Sequence, residues 1–458
     1  MNRDTAKAIV DELRGSLGEK RVLADAPELL LYSYDATGSE FLPWAVALPE
    51  TSEQVASVLK SACEHQVPVV PRGAGSGFSG GSLPVRGGIV LSTERMNRIL
   101  EIDRENLTAW VEPGVVTGEF QSRVEAVGLF YPPDPASLSF CTLGGNVAEN
   151  AGGPRAVKYG VTKDYVLGLE VVLPSGERIV TGRKVVKDVV GYNLTGLLVG
   201  SEGTLGVVTR ILLRLLPLPV GRSTLLASFG SRRQAGKTVS QILARGVVPA
   251  TMEFIDRSAL EAVSRHAQVE VESHAEAVLL IETDGPSSSE EAEVCREVVE
   301  KNGGSCKVAR TEVERENLWR ARRAISPSLV HIAPTKVNED VVVPRSLLAE
   351  ALEGVSEIER RYGVPIVCFG HAGDGNIHVN VMTDKSDAHA WQRAMRAVDE
   401  LFDLVVGMGG SISGEHGVGI TKAAYLKKQL SEEVLRLQRE IKRVFDPQGI
   451  LNPGKMGV

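Results

Sequence analysis

The feature that most constrains the fold is a glycine-dense run between residues 71 and 82. It reads Pro71-Arg72-Gly73-Ala74-Gly75-Ser76-Gly77-Phe78-Ser79-Gly80-Gly81-Ser82. Glycine permits unusual backbone twists and a close approach to a ligand, and successive backbone N–H groups can form a nest around an anion. Because a short apolar strand over Val67–Val70 precedes the run, we expect a loop that holds a diphosphate. The alternative is a surface loop without a ligand.

Part of this run, Gly75–Gly80, also matches the G-x-G-x-x-G pattern of dinucleotide-binding folds. That fingerprint requires a helix directly after the glycines. Gly81-Ser82-Leu83-Pro84 follows instead, which is a poor helix start. The sequence therefore disfavours a Rossmann-type nicotinamide site.

Two further glycine-rich segments, Thr142–Gly153 and Gly200–Val207, follow along the chain, and the prolines of Tyr131–Pro135 stiffen the stretch before them. A single phosphate would need only one such loop. Several loops that converge on one long, flat ligand explain the pattern better.

The bulk properties exclude several classes of protein. The chain has 458 residues, too many for one small core, so we expect two or three domains. A net charge of −7 argues against a nucleic-acid partner. No apolar run is long enough for a transmembrane helix, and the charged N-terminal segment that begins at Met1 has no signal-peptide core. We expect a cytoplasmic protein, with peripheral attachment to the inner membrane face through a partner as the alternative.

The five cysteines are scattered and form no C-x-x-C motif, so the chain has no sequence signature for an iron–sulfur cluster. This usage suits a reducing compartment.

The order of predicted elements indicates an α+β protein. The first 40 residues look helical. Strands are predicted over residues 44–48, 67–70, 88–91, 107–111, 169–173, 178–181, 207–216, 277–281, 341–343 and 365–369. Helices are predicted over 51–64, 288–301, 345–362 and 385–408, with a C-terminal helix in the segment 421–445 that Pro447 stops. Pro217 and Pro219 suggest a boundary near residue 220. We therefore expect domains over 1–219 and 220–410, the second with an antiparallel sheet, and a C-terminal segment over 411–458 that completes the first.

A second informative motif lies near the C-terminus. Gly370-His371-Ala372-Gly373-Asp374-Gly375-Asn376-Ile377-His378 is followed by Gly414-Glu415-His416-Gly417. Imidazole and carboxylate groups of this kind suit zinc, with manganese, iron or cobalt as alternatives, and three protein ligands leave room for a substrate. His416, beside the glutamate, could serve as a base. Residue chemistry alone leaves open that the histidines are hydrogen-bonded turn residues and that His416 only orients Glu415.

Taken together, these segments resemble the flavin-binding domain of the vanillyl-alcohol-oxidase (p-cresol methylhydroxylase type) family. The chain from about residue 40 to Pro453 is similar to the D-2-hydroxy-acid dehydrogenase branch, which includes FAD-linked D-lactate dehydrogenases, the catalytic subunit of glycolate oxidase and D-2-hydroxyglutarate dehydrogenase. The resemblance implies a two-part FAD-binding domain and a cap domain that bears the metal ligands. It also implies FAD contacts from Pro71, Arg72, Gly73, Ala74, Gly75, Ser76, Gly77, Gly80, Gly81, Ser82, Pro133, Asp134, Gly144, Gly145, Asn146, Ala148, Gly152, Tyr159, Gly160, Glu202, Gly203, Gly206, Val207 and Asn452. Because the glycine loop contains neither histidine nor cysteine, we expect FAD to be bound non-covalently.

The same resemblance assigns the reaction. His371, His378 and Glu415 match the metal ligands of the branch, and His416 matches its base. Substrate-binding positions correspond to Arg322, Ser326 and Lys336, although some members have threonine at the place of Ser326; Asn380 is an additional candidate. The expected reaction oxidises a D-2-hydroxy acid, with D-lactate or glycolate favoured, by hydride transfer to flavin N5. The alternative for Arg322 is membership of a solvated basic face with Arg320 and Arg323.

Three rival interpretations remain at this stage. The substrate could be D-2-hydroxyglutarate or another D-2-hydroxy diacid, the chain could be a non-catalytic flavin relay subunit, or it could be an aerobic oxidase. Reduced FAD must pass its electrons on. The resemblance implies an iron–sulfur subunit, an electron-transferring flavoprotein, a cytochrome or a quinone as acceptor, and the chain could also form a homo-oligomer.

Overall fold

The computed structural model describes residues 3–266 and 275–458, so Met1 and Asn2 of the predicted N-terminal segment lie outside it. Its strands are β1 Val22–Leu23, β2 Ala45–Ala47, β3 Val69–Arg72, β4 Ile89–Ser92, β5 Ile99–Asp103, β6 Thr108–Val111, β7 Leu129–Phe130, β8 Val166–Val172, β9 Arg178–Gly182, β10 Val207–Arg214, β11 Leu216–Pro217, β12 Arg222–Phe229, β13 Thr251–Asp256, β14 Ala277–Asp284, β15 Ser305–Val308, β16 Thr335–Val342, β17 Ile366–His371 and β18 Asn376–Thr383.

The α-helices are α1 Arg3–Leu17, α2 Ala26–Leu30, α3 Ser52–Glu64, α4 Thr117–Glu125, α5 Leu143–Glu149, α6 Ala156–Tyr159, α7 Leu194–Leu198, α8 Arg232–Ala244, α9 Arg257–His266, α10 Ser288–Lys301, α11 Glu312–Ser328, α12 Leu348–Tyr362, α13 Ala388–Gly407, α14 Leu426–Gln429 and α15 Glu432–Phe445. Short 3₁₀ helices lie at Glu19–Arg21, Thr162–Asp164, Leu329–His331, Arg345–Leu347 and Ala423–Tyr425.

The chain divides into two compact units. Unit 1 comprises Met1–Ala151, Val161–Leu218 and Glu415–Val458. Unit 2 comprises Gly152–Gly160 and Pro219–Gly414. The short segment Gly152–Gly160 thus joins the second unit although the chain on both sides of it belongs to the first.

Unit 1 contains two main sheets. In the first, with the order β1-β2-β4-β3, β4 pairs in parallel with both β2 and β3. The second is antiparallel, with the order β5-β6-β10-β8-β9. The helical spacing of Val55, Val58, Leu59 and Ala62 predicts the buried face of α3, and all four are fully buried in the core beside β2 to β4. The glycine run leaves the end of β3, and no helix lies between β3 and β4.

Unit 2 is built on a seven-stranded antiparallel sheet with the order β15-β12-β14-β13-β17-β18-β16. This confirms the expected α+β architecture with an antiparallel sheet. Residues directly opposite each other on antiparallel strands project from the same face. Glu253 of β13 lies opposite His371 of β17, and His378 of β18 lies opposite both Phe369 and Asp340. One face of the sheet therefore carries both histidines of the Gly370–His378 motif and two carboxylates.

The C-terminal helix differs from the prediction. The segment 421–445 is not one helix, because the chain breaks at Leu430 and a new helix, α15, begins after Ser431, whose hydroxyl accepts a hydrogen bond from the Val434 N–H. The sequence predicts one apolar helical face made of Val434, Leu437, Ile441, Val444 and Phe445, but 40% of Val434, 50% of Leu437 and 78% of Val444 are accessible. Leu435 and Lys442 are the buried positions instead.

All five cysteines lie in the described residues and are free thiols. Among the described helices, none combines the length and apolar character needed to cross a bilayer.

Candidate active site

The glycine loop of unit 1 presents a row of backbone donors. None of the N–H groups of residues 73–77 donates to an acceptor within the described part of the chain. Gly75 has a φ of +66°, and a Cβ there would lie 2.1 Å from Nη2 of Arg72, whose guanidinium donates to Tyr34 O and Ser82 Oγ beneath the loop. Loop glycines and unpaired N–H groups of this kind fit a diphosphate.

The three glycine-rich segments come together within unit 1. A Cβ on Gly73 would lie 2.4 Å from Oγ1 of Thr142, and one on Gly81 would lie 2.8 Å from Oε1 of Glu149. The Nδ2 of Asn452 donates to Gly81 O at 2.8 Å and to Glu202 O at 2.7 Å. The C-terminal segment thus ties the first and third segments together through their backbones.

A cavity of about 440 Å³ opens beside this loop in unit 1. Its lining includes Arg72, Gly73 and Ala74 of the loop, Thr142 of the second glycine segment, and Tyr32. The cavity and the unpaired loop donors together have the character expected of a nucleotide-cofactor site.

Several residues that were predicted to contact FAD form hydrogen bonds with other residues of this chain. Asn146 is buried and donates to Thr117 Oγ1 at 2.7 Å, and Pro133 O accepts from Gln121 at 2.8 Å. Tyr159 belongs to unit 2 with Gly152 and Gly160, and its hydroxyl lies 2.6 Å from Oδ2 of Asp284. The other predicted residues lie in unit 1: Pro71, Ser76, Gly77, Gly80, Ser82, Asp134, Gly144, Gly145, Ala148, Gly203, Gly206 and Val207.

Glu202 holds the segment that follows the candidate base, and a second carboxyl group, Glu149, lies near it. Glu202 is buried and accepts hydrogen bonds from the N–H groups of Val418 and Gly419, both at 2.7 Å. Burial and the neighbouring carboxylate of Glu202 raise the pKa of Glu149 well above its ordinary value. Glu149 lies inside the second glycine segment, but nothing in that motif had indicated it as a site residue.

The candidate base, His416, packs against the glycine loop. Its ring stacks on Phe78 with centroids 4.9 Å apart and planes inclined by 30°. Both residues belong to unit 1. The stack restrains the orientation of the imidazole.

Two of the three predicted metal ligands, His371 and His378, lie together in unit 2. His371 ends β17 and His378 lies in β18, and both are buried. Glu415 directly follows Gly414, whose N–H donates to the buried carboxylate of Asp340 at 2.9 Å. The rings of His371 and His378 lie with their centroids 5.2 Å apart. Two imidazoles, with the carboxylate that Glu415 would add, suit a divalent cation such as zinc.

Two buried carboxylates, Glu253 and Asp340, lie beside these histidines. No sequence motif had indicated either one. Oε1 of Glu253 lies 2.7 Å from Nδ1 of His371. Burial alone would raise the pKa of Glu253, but the charges of His371 and Arg322 outweigh it and lower that pKa below its ordinary value. Oδ1 of Asp340 lies 3.9 Å from Nδ1 of His378. Of the two, Glu253 lies at hydrogen-bond distance, and metal-binding histidines commonly have a carboxylate partner of this kind.

Arg322, one of the predicted substrate-binding residues, lies near the same histidines in unit 2. Arg322 of α11 contacts Glu253, and its guanidinium carbon lies 4.9 Å from the ring centroid of Phe369. Phe369 in turn contacts His378, with ring centroids 5.3 Å apart. Arg322 is therefore linked through these contacts to both histidines. This arrangement argues against the alternative in which Arg322 lies on a solvated basic face.

Lys336 and Ser326 lie together, with Nζ 2.8 Å from Oγ. Burial lowers the pKa of Lys336. Asn380 is fully buried and its Nδ2 donates to the carbonyls of Val367 and His378, so its amide donors are already engaged by the protein.

Comparison with known proteins decides the family. Residues 218–456 match the C-terminal domain of the FAD-linked oxidases, and residues 43–182 match an FAD-binding domain. The chain belongs to the FAD-linked oxidase family. It is accordingly an FAD-dependent oxidoreductase.

Three relatives cover nearly the whole chain. Glycolate oxidase subunit GlcD of Bacillus subtilis is 46% identical over 431 residues, which cover 93% of this chain and 92% of the relative. D-lactate dehydrogenase of Archaeoglobus fulgidus is 37% identical over 93% of this chain and 95% of the relative. D-2-hydroxyglutarate dehydrogenase of Stutzerimonas stutzeri is 33% identical over 99% of both.

The fold has a solved counterpart. Substrate-bound p-cresol methylhydroxylase superposes with a TM-score of 0.84 over 100% of this chain and 98% of the other, at 21% identity. The p-cresol methylhydroxylase fold predicted from the sequence is thereby confirmed for this FAD-linked oxidase.

Proposed function

We propose that this FAD-linked oxidase converts a D-2-hydroxy acid to the 2-oxo acid, with D-lactate or glycolate as the favoured substrate. The observation that supports the proposal is a set of contacts in unit 2. Through Glu253 and Phe369, these contacts link Arg322 to His371 and His378. The Arg322 guanidinium can bind a carboxylate, and it lies near the histidines that would bind a metal ion. This combination suits a substrate that has a hydroxyl group one carbon away from its carboxylate. The relatives named as acting on glycolate, D-lactate and D-2-hydroxyglutarate support the same substrate class.

A divalent cation and FAD, when bound, would supply the electrophilic and the redox chemistry. A divalent cation held by His371, His378 and Glu415 would lower the pKa of the substrate hydroxyl, and non-covalently bound FAD would accept the hydrogen on the substrate's Cα together with its electron pair.

The protein's own residues provide the grip on the substrate and the proton acceptor. Arg322 offers a forked set of N–H donors to the substrate carboxylate, and Lys336 with Ser326 offers a second set. His416 accepts the hydroxyl proton at a ring nitrogen, for which an imidazole has a suitable pKa. The stack on Phe78 keeps that ring from rotating away.

The electrons leave through a separate acceptor. We infer a partner protein, such as an iron–sulfur subunit or an electron-transferring flavoprotein, or a cytochrome or quinone. The relative from Bacillus subtilis is named as a subunit, which supports a multi-component enzyme in this branch.

A D-2-hydroxy diacid is the second candidate substrate, because the D-2-hydroxyglutarate dehydrogenase relative spans 99% of this chain. Competitive turnover of D-lactate, glycolate and D-2-hydroxyglutarate by the FAD-loaded protein separates the two. A higher kcat/KM for D-lactate or glycolate supports the first proposal, and a strong preference for hydroxyglutarate replaces it. If no 2-hydroxy acid bleaches the flavin, both proposals fail and a flavin relay role gains support.

A further inference from the structure

Glu253 is a buried charge at the centre of the unit 2 sheet. It lies on β13 between β14 and β17 and is fully shielded from solvent. A carboxylate in such a position costs free energy unless it is paired and hydrogen-bonded. Its partners therefore explain why a glutamate can be accommodated there.

The two oxygens of Glu253 have different partners. Oε1 lies 2.7 Å from Nδ1 of His371. Oε2 accepts from Nε of Arg322 at 2.7 Å, and Nη2 of the same guanidinium lies 2.7 Å away. One side chain thus contacts both a predicted metal ligand and the predicted substrate arginine.

The contact with His371 fixes its tautomer. An ionised carboxylate can only accept hydrogen bonds, so Nδ1 of His371 carries the proton and the Nε2 lone pair remains for a metal ion. The contact with Arg322 occupies the Nε edge of the guanidinium. The remaining N–H groups keep a fixed direction for a substrate carboxylate.

We propose that Glu253 is a positioning residue that couples the metal site to the substrate grip by holding His371 and Arg322 at the same time. This inference rests on the proposed function and adds to it a residue outside every recognised motif. A glutamine at this position cannot reproduce the role. An amide has one acceptor oxygen and one donor group, so either Arg322 loses its anchor or His371 must shift its proton to Nε2.

Glu282 provides a matched control. It lies on the adjacent strand β14, is 4% exposed, and accepts a hydrogen bond from Trp319 of the same helix α11 at 3.1 Å. It also accepts from Thr224 and lies near Arg222. Glu282 therefore shares the burial and the helix contact of Glu253 but touches no predicted ligand.

The test compares Glu253→Gln, Glu253→Asp and Glu282→Gln in the FAD-loaded, metal-stripped protein. Calorimetric titration with Zn²⁺ alone, without substrate, should show an affinity roughly 10–100-fold weaker for Glu253→Gln. KM for D-lactate should rise in the same variant, whereas Glu282→Gln should match the wild type in both measurements. Glu253→Asp, which retains two acceptor oxygens, should recover part of the Zn²⁺ affinity. Unchanged Zn²⁺ affinity in Glu253→Gln, or equal losses in Glu282→Gln, overturns the proposal.

A wild-type measurement covers the case in which Glu253→Gln does not fold. ¹⁵N NMR of the histidine-labelled, metal-stripped protein, with the His371 signal assigned from His371→Asn, should show a protonated Nδ1 and a bare Nε2. The measurement is made at a pH at which the His371 ring is neutral, and a neutral ring that carries its proton on Nε2 instead of Nδ1 contradicts the role of Glu253. Because neither the Zn²⁺ titration nor the tautomer depends on turnover, a wild type that oxidises no 2-hydroxy acid would refute the proposed function without deciding this test.

Discussion

Phe78 stacks on His416 with ring centroids 4.9 Å apart. Phe78 belongs to the glycine loop, and His416 belongs to the segment that returns at the C-terminus, so the stack joins two distant parts of the chain within unit 1. Glu202 strengthens this arrangement by accepting hydrogen bonds from Val418 and Gly419, just after the histidine. The imidazole ring of the candidate base is therefore restrained by the stack, and the backbone just after it is restrained by the hydrogen bonds to Glu202.

Replacement of His416 by asparagine should abolish the proton acceptor and leave the loop intact. Loss of a general base typically lowers the rate by about 10²- to 10⁴-fold, and we expect a decrease in that range in the rate of flavin reduction measured by anaerobic stopped flow. FAD content, read from absorbance, should stay at the wild-type level. His389→Asn, at an exposed position on α13, is the control. A near-normal reduction rate in His416→Asn removes this residue from the base role.

Arg322→Lys should weaken substrate binding. Lysine cannot keep the forked contact with Glu253 and at the same time offer planar donors to a carboxylate. A charged hydrogen bond contributes about 1.5–3 kcal/mol, which predicts a KM for D-lactate roughly 10- to 100-fold higher. Arg323→Lys, one residue on, is the matched control because the Arg323 side chain is 57% exposed and pairs with Glu316. Equal KM values in the two variants would place Arg322 outside the substrate site.

Gly73→Ala should reduce FAD binding. The added Cβ would lie 2.4 Å from Oγ1 of Thr142, which accepts the N–H of Gly145 at the start of α5. Relief of that overlap must displace either the loop or the helix cap. We expect purified Gly73→Ala to contain less FAD than Gly407→Ala, whose Cβ would meet nothing within 4 Å. Equal FAD content in the two proteins would mean that this close approach does not shape the cofactor site.

Local signals predicted much of the secondary structure because those signals are short-range. Thr51 and Gln54 have the spacing of a capping box, and Thr51 does cap α3; α10 spans Ser288–Lys301 as predicted. The turn at Pro174-Ser175-Gly176 joins the paired strands β8 and β9. Strand β5 and helix α4 were missed: β5 has mixed exposure, and α4 begins without a side-chain cap. The break before α15 could have been predicted from Ser431, a common N-cap residue followed by two glutamates.

The candidate site was predictable where glycine and histidine motifs mark it, and not where its support comes from distant strands. Glu253 lies 118 positions from His371, so only the sheet register brings the two together. A lone acidic residue in a strand has the same local pattern as a solvent-facing one. Asp340, opposite His378, was missed for the same reason.

Lys455 should make stability depend on pH in alkaline solution. Burial lowers the pKa of Lys455 from 10.5 to about 8, against the opposing effect of Glu202. Between about pH 8 and 10.5 the unfolded chain holds this proton and the folded chain does not, so the contribution of Lys455 to stability rises with pH across that window and is lost as the pH falls through 8. The melting temperature of the wild type should therefore rise relative to that of Lys455→Met as the pH increases from about 8 to 10.5. The exposed Lys187→Met is the control, and a constant offset for Lys455→Met would contradict the pKa shift.

We propose that a metal-dependent oxidation of a D-2-hydroxy acid takes place at the FAD of this chain. Anaerobic titration of the FAD-loaded protein with D-lactate, L-lactate and glycolate, before and after removal of metal with a chelator, tests it most directly. We expect D-lactate or glycolate to bleach the flavin absorbance and L-lactate to leave it unchanged. We further expect that chelation stops the bleaching and that added Zn²⁺ or Mn²⁺ restores it. Bleaching that survives complete metal removal, or that occurs equally with L-lactate, would contradict this proposal.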